Sequence, residues 1–345
     1  MNKKKILSLI IFIILLIIAY IGYGFYTKIK NPNTTKKGFI YIKSKASFDD
    51  LLLQINPFLK DEKSFKWVAN KKKFTKPKAG KYLIKKSMSN NDLVNMLRSG
   101  RQIPVKVAFN NQNSLEKLAS RISSQIEADS IQLLKSFKGK QFLKENDFTE
   151  DQVLGMFIPN SYQFKWNTSA NQFRDKMIKE YNKFWNKDRL LKAKKLNLTP
   201  IEVTTLASIV HKETVKKSER PIVAGLYLNR IRDKWPLESD PTVIYAMNKK
   251  YGKDLGIRRL LFKNIEETKN SPYNTYKKLG LPPSLIAMPD ISAIDAVLNA
   301  KNHNYYFMCA SVTKIGYHEF AKTLAQHNRN RTKYIQKKNK QGVRQ

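Results

Sequence analysis

The segment Leu206–Thr214 brings a glutamate, Glu213, to the border of an otherwise apolar helix face. Glu213 follows at helical spacing the apolar residues Val203, Leu206, Ala207 and Val210. Partial desolvation disfavours the charged form of a carboxyl group, so its pKa rises toward the working pH. Glu213 is therefore a candidate general acid, and the alternative is a plain surface glutamate at the edge of a buried face.

The helix that positions Glu213 has a recognisable start. Thr199 is predicted as its N-cap, Pro200 as its first residue, and Glu202 as the partner of Thr199 in a capping box. A second helix is predicted to follow, with Ser218 as its cap and Pro221 in its first turn.

Polar and aromatic residues recur in the segments beyond these helices and in one before them. The segments are Phe157-Ile158-Pro159-Asn160-Ser161-Tyr162, Ser239-Asp240-Pro241-Thr242-Val243-Ile244-Tyr245, Tyr273-Asn274-Thr275-Tyr276 and Gly280-Leu281-Pro282-Pro283. In this order, together with Lys212-Glu213-Thr214, they resemble the catalytic domain of the MltG/YceG family of endolytic murein transglycosylases. The resemblance covers roughly residues 40–330.

The resemblance implies an enzyme that cuts the β-1,4 bond between N-acetylmuramic acid (MurNAc) and N-acetylglucosamine (GlcNAc) in nascent peptidoglycan. The family forms a 1,6-anhydro ring on MurNAc without consuming water, so one carboxylate suffices, and it thereby limits strand length. The family's catalytic glutamate falls on Glu213. Hydroxyl and amide groups must then hold the sugar, and the candidates are Tyr162, Ser239, Asp240, Thr242, Tyr245, Asn274 and Tyr276, with Asn160 orienting groups nearby.

Two positions depart from the family pattern. Family members commonly have a glutamate where this chain has His211, and an aspartate where it has Asn160. The His211 substitution supports an alternative function, a catalytically inactive glycan-binding scaffold of the cell wall.

The histidines do not follow the spacing of known zinc sites. His211 and Glu213 form an H-x-E string, but neither the H-E-x-x-H motif nor a P-C-x-x-C partner is present. We therefore expect no metal and no cofactor.

The N-terminus carries an uncharged apolar run, Ile6–Tyr26, which is long enough to cross a bilayer. A cleaved signal peptide would have a shorter apolar core and a small-x-small cleavage site. We predict an uncleaved single-pass anchor in the inner (plasma) membrane, with a cytoplasmic N-terminus and a periplasmic catalytic domain.

The predicted fold class is α+β, with a single N-terminal transmembrane helix, a small LysM-like subdomain and a larger YceG-like catalytic domain. The patterns of residues 39–102 predict a strand, helix, helix, strand order, which resembles the LysM-like subdomain of the same family. The predicted boundaries are cytoplasmic 1–5, transmembrane 6–26, linker 27–38, LysM-like 39–102, catalytic 103–335 and basic tail 336–345.

The chain has 65 Lys and Arg against 27 Asp and Glu, a net charge of +38. Nucleic-acid binding is the usual first hypothesis for such a charge. The lysines are spread along the whole chain and form no known nucleic-acid module, so we expect no nucleic-acid partner. The charge suits an anionic membrane and the carboxylates of peptidoglycan, and synthases of peptidoglycan are candidate partners.

Overall fold

The computed structural model describes residues 3–340 and divides into two compact units. Unit 1 holds the chain up to Val107, with Ser123–Ala128 and Tyr162–Ser169. Unit 2 holds Ala108–Ile122, Asp129–Ser161 and the chain from Ala170 onward. Residues 1–2 of the predicted cytoplasmic segment and 341–345 of the predicted basic tail lie outside the described residues.

Unit 1 combines helices with one antiparallel pair of strands. Its elements are α1 (Lys3–Lys30), β1 (Gly38–Ile42), α2 (Phe48–Ile55), α3 (Glu62–Lys71), β2 (Gly80–Ile84) and α4 (Asn90–Ser99), with a short 3-10 helix at Asn56–Phe58. The observed order of strand, helix, helix and strand matches the expected one, and the LysM-like identity of this unit stays a prediction.

Helix α1 contains the predicted span and is the one helix within residues 3–340 that is long and apolar enough to cross a membrane. None of its residues is buried in the protein. A long apolar helix without a buried residue indicates a membrane anchor.

The segment after α1, predicted as a linker, is bonded into unit 1. Asn33 is buried, and its side chain donates to Asn90 Oδ1 at 2.7 Å and accepts from the Asp61 amide at 2.8 Å. Asn90 in turn donates to the carbonyl of Lys28 at 2.9 Å. The end of the anchor helix is therefore tied to α3 and α4 by buried hydrogen bonds.

The core of unit 1 lies between the β1–β2 pair and the three short helices. Ile40 pairs with Tyr82 in the antiparallel register, and both are buried. Helix α4 follows its N-cap Ser89 and ends at Gly100, whose φ of 73° is the left-handed conformation that glycine tolerates best.

Unit 2 is mainly helical. Two short strands, β3 (Val105–Phe109) and β4 (Asn160–Phe164), pair with each other. In chain order the other elements are α5 (Leu115–Ser123), α6 (Ser130–Phe137), α7 (Lys140–Glu145), a 3-10 helix at Val153–Met156, α8 (Ala170–Phe184), α9 (Lys187–Lys195), α10 (Pro200–Glu213), α11 (Arg220–Arg232), α12 (Asp240–Tyr251), α13 (Phe262–Glu267), α14 (Ile291–Leu298), β5 (Phe307–Ala310), β6 (His318–Ala321) and α15 (Leu324–Lys340).

Helix α10 is the central element of unit 2 and packs against α9, α11, α12 and α14. Its residues from Val203 to Val210 are all buried. The antiparallel strands β5 and β6 form a hairpin against which α15 packs. The mixed helix and sheet content confirms the predicted α+β class.

Candidate active site

Glu213 is the last residue of α10. The helix starts as predicted, because Thr199 and Glu202 form both hydrogen bonds of the capping box. The next residue, Thr214, has extended backbone angles of φ −142° and ψ 134°, which end the helix. The start signal and the fourteen-residue length of α10 thus place Glu213 at its carboxyl end.

Two hydroxyl groups hold one oxygen of the Glu213 carboxyl. Tyr227 Oη donates to Glu213 Oε1 at 2.9 Å, and Ser239 Oγ donates to the same oxygen at 2.5 Å. Glu213 Oε2 has no hydrogen-bond partner in residues 3–340 and is not among their fully buried unpaired atoms. One oxygen is therefore fixed by the protein, and the residue as a whole is half-buried.

The pKa of Glu213 is raised above its ordinary value. Burial is the largest cause, and the negative charge of Asp240 acts in the same direction. The hydrogen bonds from Ser239 and Tyr227 and the charge of His318 oppose the rise without cancelling it. Glu213 can therefore hold a proton at a higher pH than an exposed glutamate, as a general acid requires.

Ser239 is fully buried and stands at the N-cap of α12, but its side chain does not cap that helix. Its amide instead donates to Thr275 Oγ1 at 3.0 Å, while its hydroxyl turns to Glu213. Thr242 Oγ1 donates to the Ser239 carbonyl at 2.7 Å and lies 2.8 Å from Thr275 Oγ1. These contacts orient Ser239 from both sides.

Asp240 and Tyr276 form an exposed pair beside this network. Tyr276 Oη donates to Asp240 Oδ1 at 2.5 Å, and Asp240 is exposed at the start of α12. Burial, followed by the hydrogen bond to Asp240, raises the pKa of Tyr276 well above its ordinary value. Both side chains are placed where a ligand at Glu213 could meet them.

Asn274 is fully buried, and its hydrogen bonds are made inside the protein. Its side-chain nitrogen donates to the carbonyl of Ile265 at 2.8 Å, and its oxygen accepts from the Tyr276 amide. Thr242 is equally buried. We therefore propose that Asn274 and Thr242 position the loop around the site and do not contact a sugar.

Tyr245 lies on α12 and lines an open cleft of about 860 Å³ in unit 2. Lys212 and Pro241, the chain neighbours of Glu213 and Asp240, also line this cleft. The Tyr245 ring packs on the buried Tyr273 with 4.8 Å between ring centroids. The cleft thus opens beside the carboxyl end of α10.

The remaining two predicted site residues, Asn160 and Tyr162, lie on β4. Asn160 is exposed at the start of β4, where its side-chain oxygen accepts from the Ser161 amide. Tyr162, on the same strand, is buried and belongs to unit 1. Roles for these two residues in binding a ligand remain predictions.

His211 belongs to an ionic network that holds the end of α10. The buried Arg220 donates to Asp290 Oδ1 at 2.6 Å and to the Thr214 carbonyl at 3.3 Å. His211 Nδ1 lies 3.5 Å from Asp290 Oδ2 and 3.3 Å from a guanidinium nitrogen of Arg220. Burial favours a raised pKa for Asp290, but hydrogen bonds from His211 and Arg220 outweigh it and lower that pKa. We name this set of His211, Thr214, Arg220 and Asp290 the α10 clamp.

Sequence analysis did not predict the contact between Glu219 and His318. The buried Glu219 accepts from the His318 amide at 2.7 Å and from its ring Nδ1 at 2.9 Å. The predicted cap Ser218 is wrong, because α11 begins at Arg220 with Glu219 at the N-cap and without a side-chain cap. The Glu219 carboxylate binds the β6 strand in place of the helix end.

Tyr227 and Thr275 also contribute to the site without having been predicted. Tyr227 lies among apolar residues of α11, a pattern that predicts a core residue. Thr275 lies between the predicted site residues Asn274 and Tyr276. A tyrosine inside an apolar helix next to a candidate acid is the signal that was available for Tyr227. Within residues 3–340 no group of three or more His, Cys, Asp or Glu side chains could hold a metal ion.

The fold and the site define an α+β protein with an apolar anchor helix and one desolvated acid beside an open cleft. A sequence model described as the YceG-like family matches residues 40–333. The chain belongs to the YceG-like family.

Known proteins resemble this chain over most of its length. An endolytic murein transglycosylase of Bacillus subtilis (strain 168) is 29% identical over 327 residues, covering 90% of this chain and 88% of that protein. One of Streptococcus pneumoniae serotype 2 (strain D39) is 27% identical over 370 residues, covering 97% of this chain and 66% of that protein. A crystal structure of a YceG-like protein from Listeria monocytogenes superposes with a TM-score of 0.56 at 25% identity, covering 85% of this chain and 98% of that one.

Proposed function

We propose that the protein is a membrane-anchored endolytic murein transglycosylase that cleaves the MurNAc–GlcNAc β-1,4 bond of peptidoglycan. The observation that carries the proposal is the half-buried Glu213, whose carboxyl has a raised pKa and one oxygen fixed by two hydroxyls. The relatives named endolytic murein transglycosylase support the same reaction.

In this reaction Glu213 supplies and recovers a single proton. Protonated Glu213 donates to the glycosidic oxygen as the bond to C1 of MurNAc breaks, and GlcNAc leaves with that proton. The C6 hydroxyl of the same MurNAc then bonds to C1 and gives its proton to the Glu213 carboxylate. The products are a 1,6-anhydro-MurNAc end and a free GlcNAc end, and the acid is restored without water.

The hydroxyl pair on Glu213 suits both halves of this cycle. Tyr227 and Ser239 stabilise the Glu213 carboxylate that forms when the proton leaves. Burial and the charge of Asp240 favour the return of a proton to this carboxylate. Tyr245 would bind the glycan strand in the cleft, and Tyr276 and Asp240 would meet it outside the cleft lining, beside Glu213. No second carboxylate is required to activate water, in contrast to an ordinary glycosidase.

The anchor places the reaction at the membrane. We infer that α1 crosses the inner (plasma) membrane once, with the N-terminus in the cytoplasm and the catalytic unit on the periplasmic side. Three lysines, Lys3 to Lys5, precede the apolar run, and peptidoglycan lies outside that membrane. Peptidoglycan synthases, which release nascent strands there, are its predicted partners.

The test is product analysis with the full chain in detergent and purified peptidoglycan. Mass spectrometry should find internal fragments ending in 1,6-anhydro-MurNAc. The Glu213→Gln variant should stay folded and cleave peptidoglycan about 10² to 10⁴ times more slowly. Glu145→Gln, which neutralises an exposed glutamate of α7, is the matched control and should keep full activity.

Three outcomes would contradict the proposal. Reducing ends would indicate hydrolysis, and an active Glu213→Gln variant would refute the assignment of the acid. A wild-type chain that binds glycan without cutting it would support the alternative function, a catalytically inactive glycan-binding scaffold.

A further inference from the structure

An apolar cavity of about 360 Å³ lies between the end of the anchor helix α1 and the helix α3 of unit 1. Its lining residues are Phe25, Ile29, Trp67, Val68, Lys71 and Lys72. The rings of Phe25 and Trp67 stack with 5.2 Å between centroids and 8° between planes, so the floor of the cavity is aromatic. The cavity is about one helical turn long along α1, from Phe25 to Ile29.

The cavity stands at the level where a bilayer changes from hydrocarbon to head groups. The uncharged run of α1 ends at Tyr26, and Lys28 is the first charged residue after it. Because that run is about as long as the hydrocarbon core is thick, its last turn reaches the interface. Tryptophan and lysine are the residues that proteins place at this depth.

Cations crowd around the rim of the cavity. Lys28 Nζ lies 5.5 Å and Lys71 Nζ 5.8 Å from the centre of the Trp67 ring. Lys72 is held by Asn91 and Asn95, and its pKa is lowered by burial and then by the like charges of Arg98 and Lys30. The carboxylate of Asp92 opposes this effect on Lys72. Such crowding is unfavourable unless an anion shares the site.

We propose that this cavity binds one anionic phospholipid, with its phosphate between Lys28 and Lys71 and the start of an acyl chain against Phe25 and Trp67. A soluble anion would pair with the lysines and leave the aromatic wall uncovered, and a neutral lipid would leave the cations unpaired. The bound lipid would fix unit 1 against the membrane surface, since Asn33 and Asn90 already tie α1 to α3 and α4.

The experiment is native mass spectrometry of the full chain in detergent micelles containing equal amounts of phosphatidylglycerol and phosphatidylcholine. The wild type should retain phosphatidylglycerol in preference to phosphatidylcholine. Lys28→Gln with Lys71→Gln should lower that preference by roughly tenfold or more, the effect expected of two lysines near an anionic surface. Lys60→Gln with Lys63→Gln removes two exposed lysines outside the cavity and should leave the preference unchanged.

A third variant separates a built site from diffuse attraction. Trp67→Ala keeps every charge and removes the aromatic wall, so it should also lower retention of phosphatidylglycerol. Thermal melting of each variant checks that unit 1 stays folded. Equal retention of both lipids, full retention by Trp67→Ala, or displacement of the lipid by excess inorganic phosphate would each overturn the proposal.

Discussion

Tyr227 is expected to set the proton affinity of Glu213. Tyr227→Phe removes the hydroxyl that stabilises the ionised carboxylate, so the pKa of Glu213 should rise further. A general acid works while protonated, and the alkaline limb of the pH–rate profile should therefore move to higher pH. The loss of one hydrogen bond should also lower kcat by roughly tenfold. The pH dependence of peptidoglycan cleavage by wild type and variant measures both effects.

Tyr276→Phe is the control for this prediction. It also removes one phenolic hydroxyl, but that hydroxyl donates to Asp240 and not to Glu213. The alkaline limb of the pH–rate profile of Tyr276→Phe should lie at the same pH as that of the wild type, even if the rate of cleavage falls. A limb that moves to lower pH in Tyr227→Phe, or does not move, would show that the hydroxyl does not stabilise the carboxylate.

At the same scale, the sequence was sufficient for some site residues and insufficient for others. Glu213 and Ser239 could be predicted from ordered motifs and a helix register, and the structure joins them directly. Tyr227 could not, because the apolar pattern of α11 marks it as buried without showing which neighbour it faces. That depends on how α11 packs on α10, a tertiary contact that periodicity does not encode.

The α10 clamp makes the position of Glu213 depend on an ion pair at the helix end. Arg220→Ala removes a buried guanidinium that donates to Asp290 and to the Thr214 carbonyl, and Asp290 keeps its hydrogen bonds from Ser292 and the Ala293 amide. Loss of one partner of a buried pair costs about 3–5 kcal/mol, and the 28% exposure of the Asp290 side chain reduces this to roughly 2–4 kcal/mol. Chemical denaturation of the full chain measures this cost.

Arg232→Ala is the matched control on the same helix. Arg232 is 61% exposed and pairs with its neighbour Asp233, so its loss should change the free energy of unfolding by less than about 1 kcal/mol. Similar values for Arg220→Ala and Arg232→Ala would mean that the clamp does not stabilise the end of α10.

At the scale of elements, helix ends were predictable where capping is local. Thr199 with Glu202, and Ser89 with Gly100, behave as their sequence signals indicate. The start of α11 was not predictable in this way. Its N-cap position is occupied by Glu219, and the Glu219 carboxylate binds His318, which lies ninety-nine positions later in the chain. A capping signal is reliable only when no distant partner competes for the side chain.

At the scale of the whole molecule, the α+β class and the apolar anchor followed from the sequence, whereas the division into units did not. The two compact units are discontinuous, since 123–128 and 162–169 belong to unit 1 although unit 2 surrounds them in the chain. A prediction from sequence patterns divides the chain into consecutive ranges, here 39–102 and 103–335. Such ranges cannot assign the later segments 123–128 and 162–169 to the first unit. They remain predictions about folding units.

The whole molecule also makes the proposed orientation testable. Within residues 3–340 α1 is the helix that is long and apolar enough to cross a membrane, and the proposed orientation puts the chain after it on the periplasmic side. Ile315 is 90% exposed between β5 and β6, and Cys309 is the only cysteine. Ile315→Cys with Cys309→Ala should therefore react with a membrane-impermeant maleimide in intact cells, as fully as in lysed cells. Labelling that requires lysis would place unit 2 in the cytoplasm, where peptidoglycan strands cannot reach Glu213.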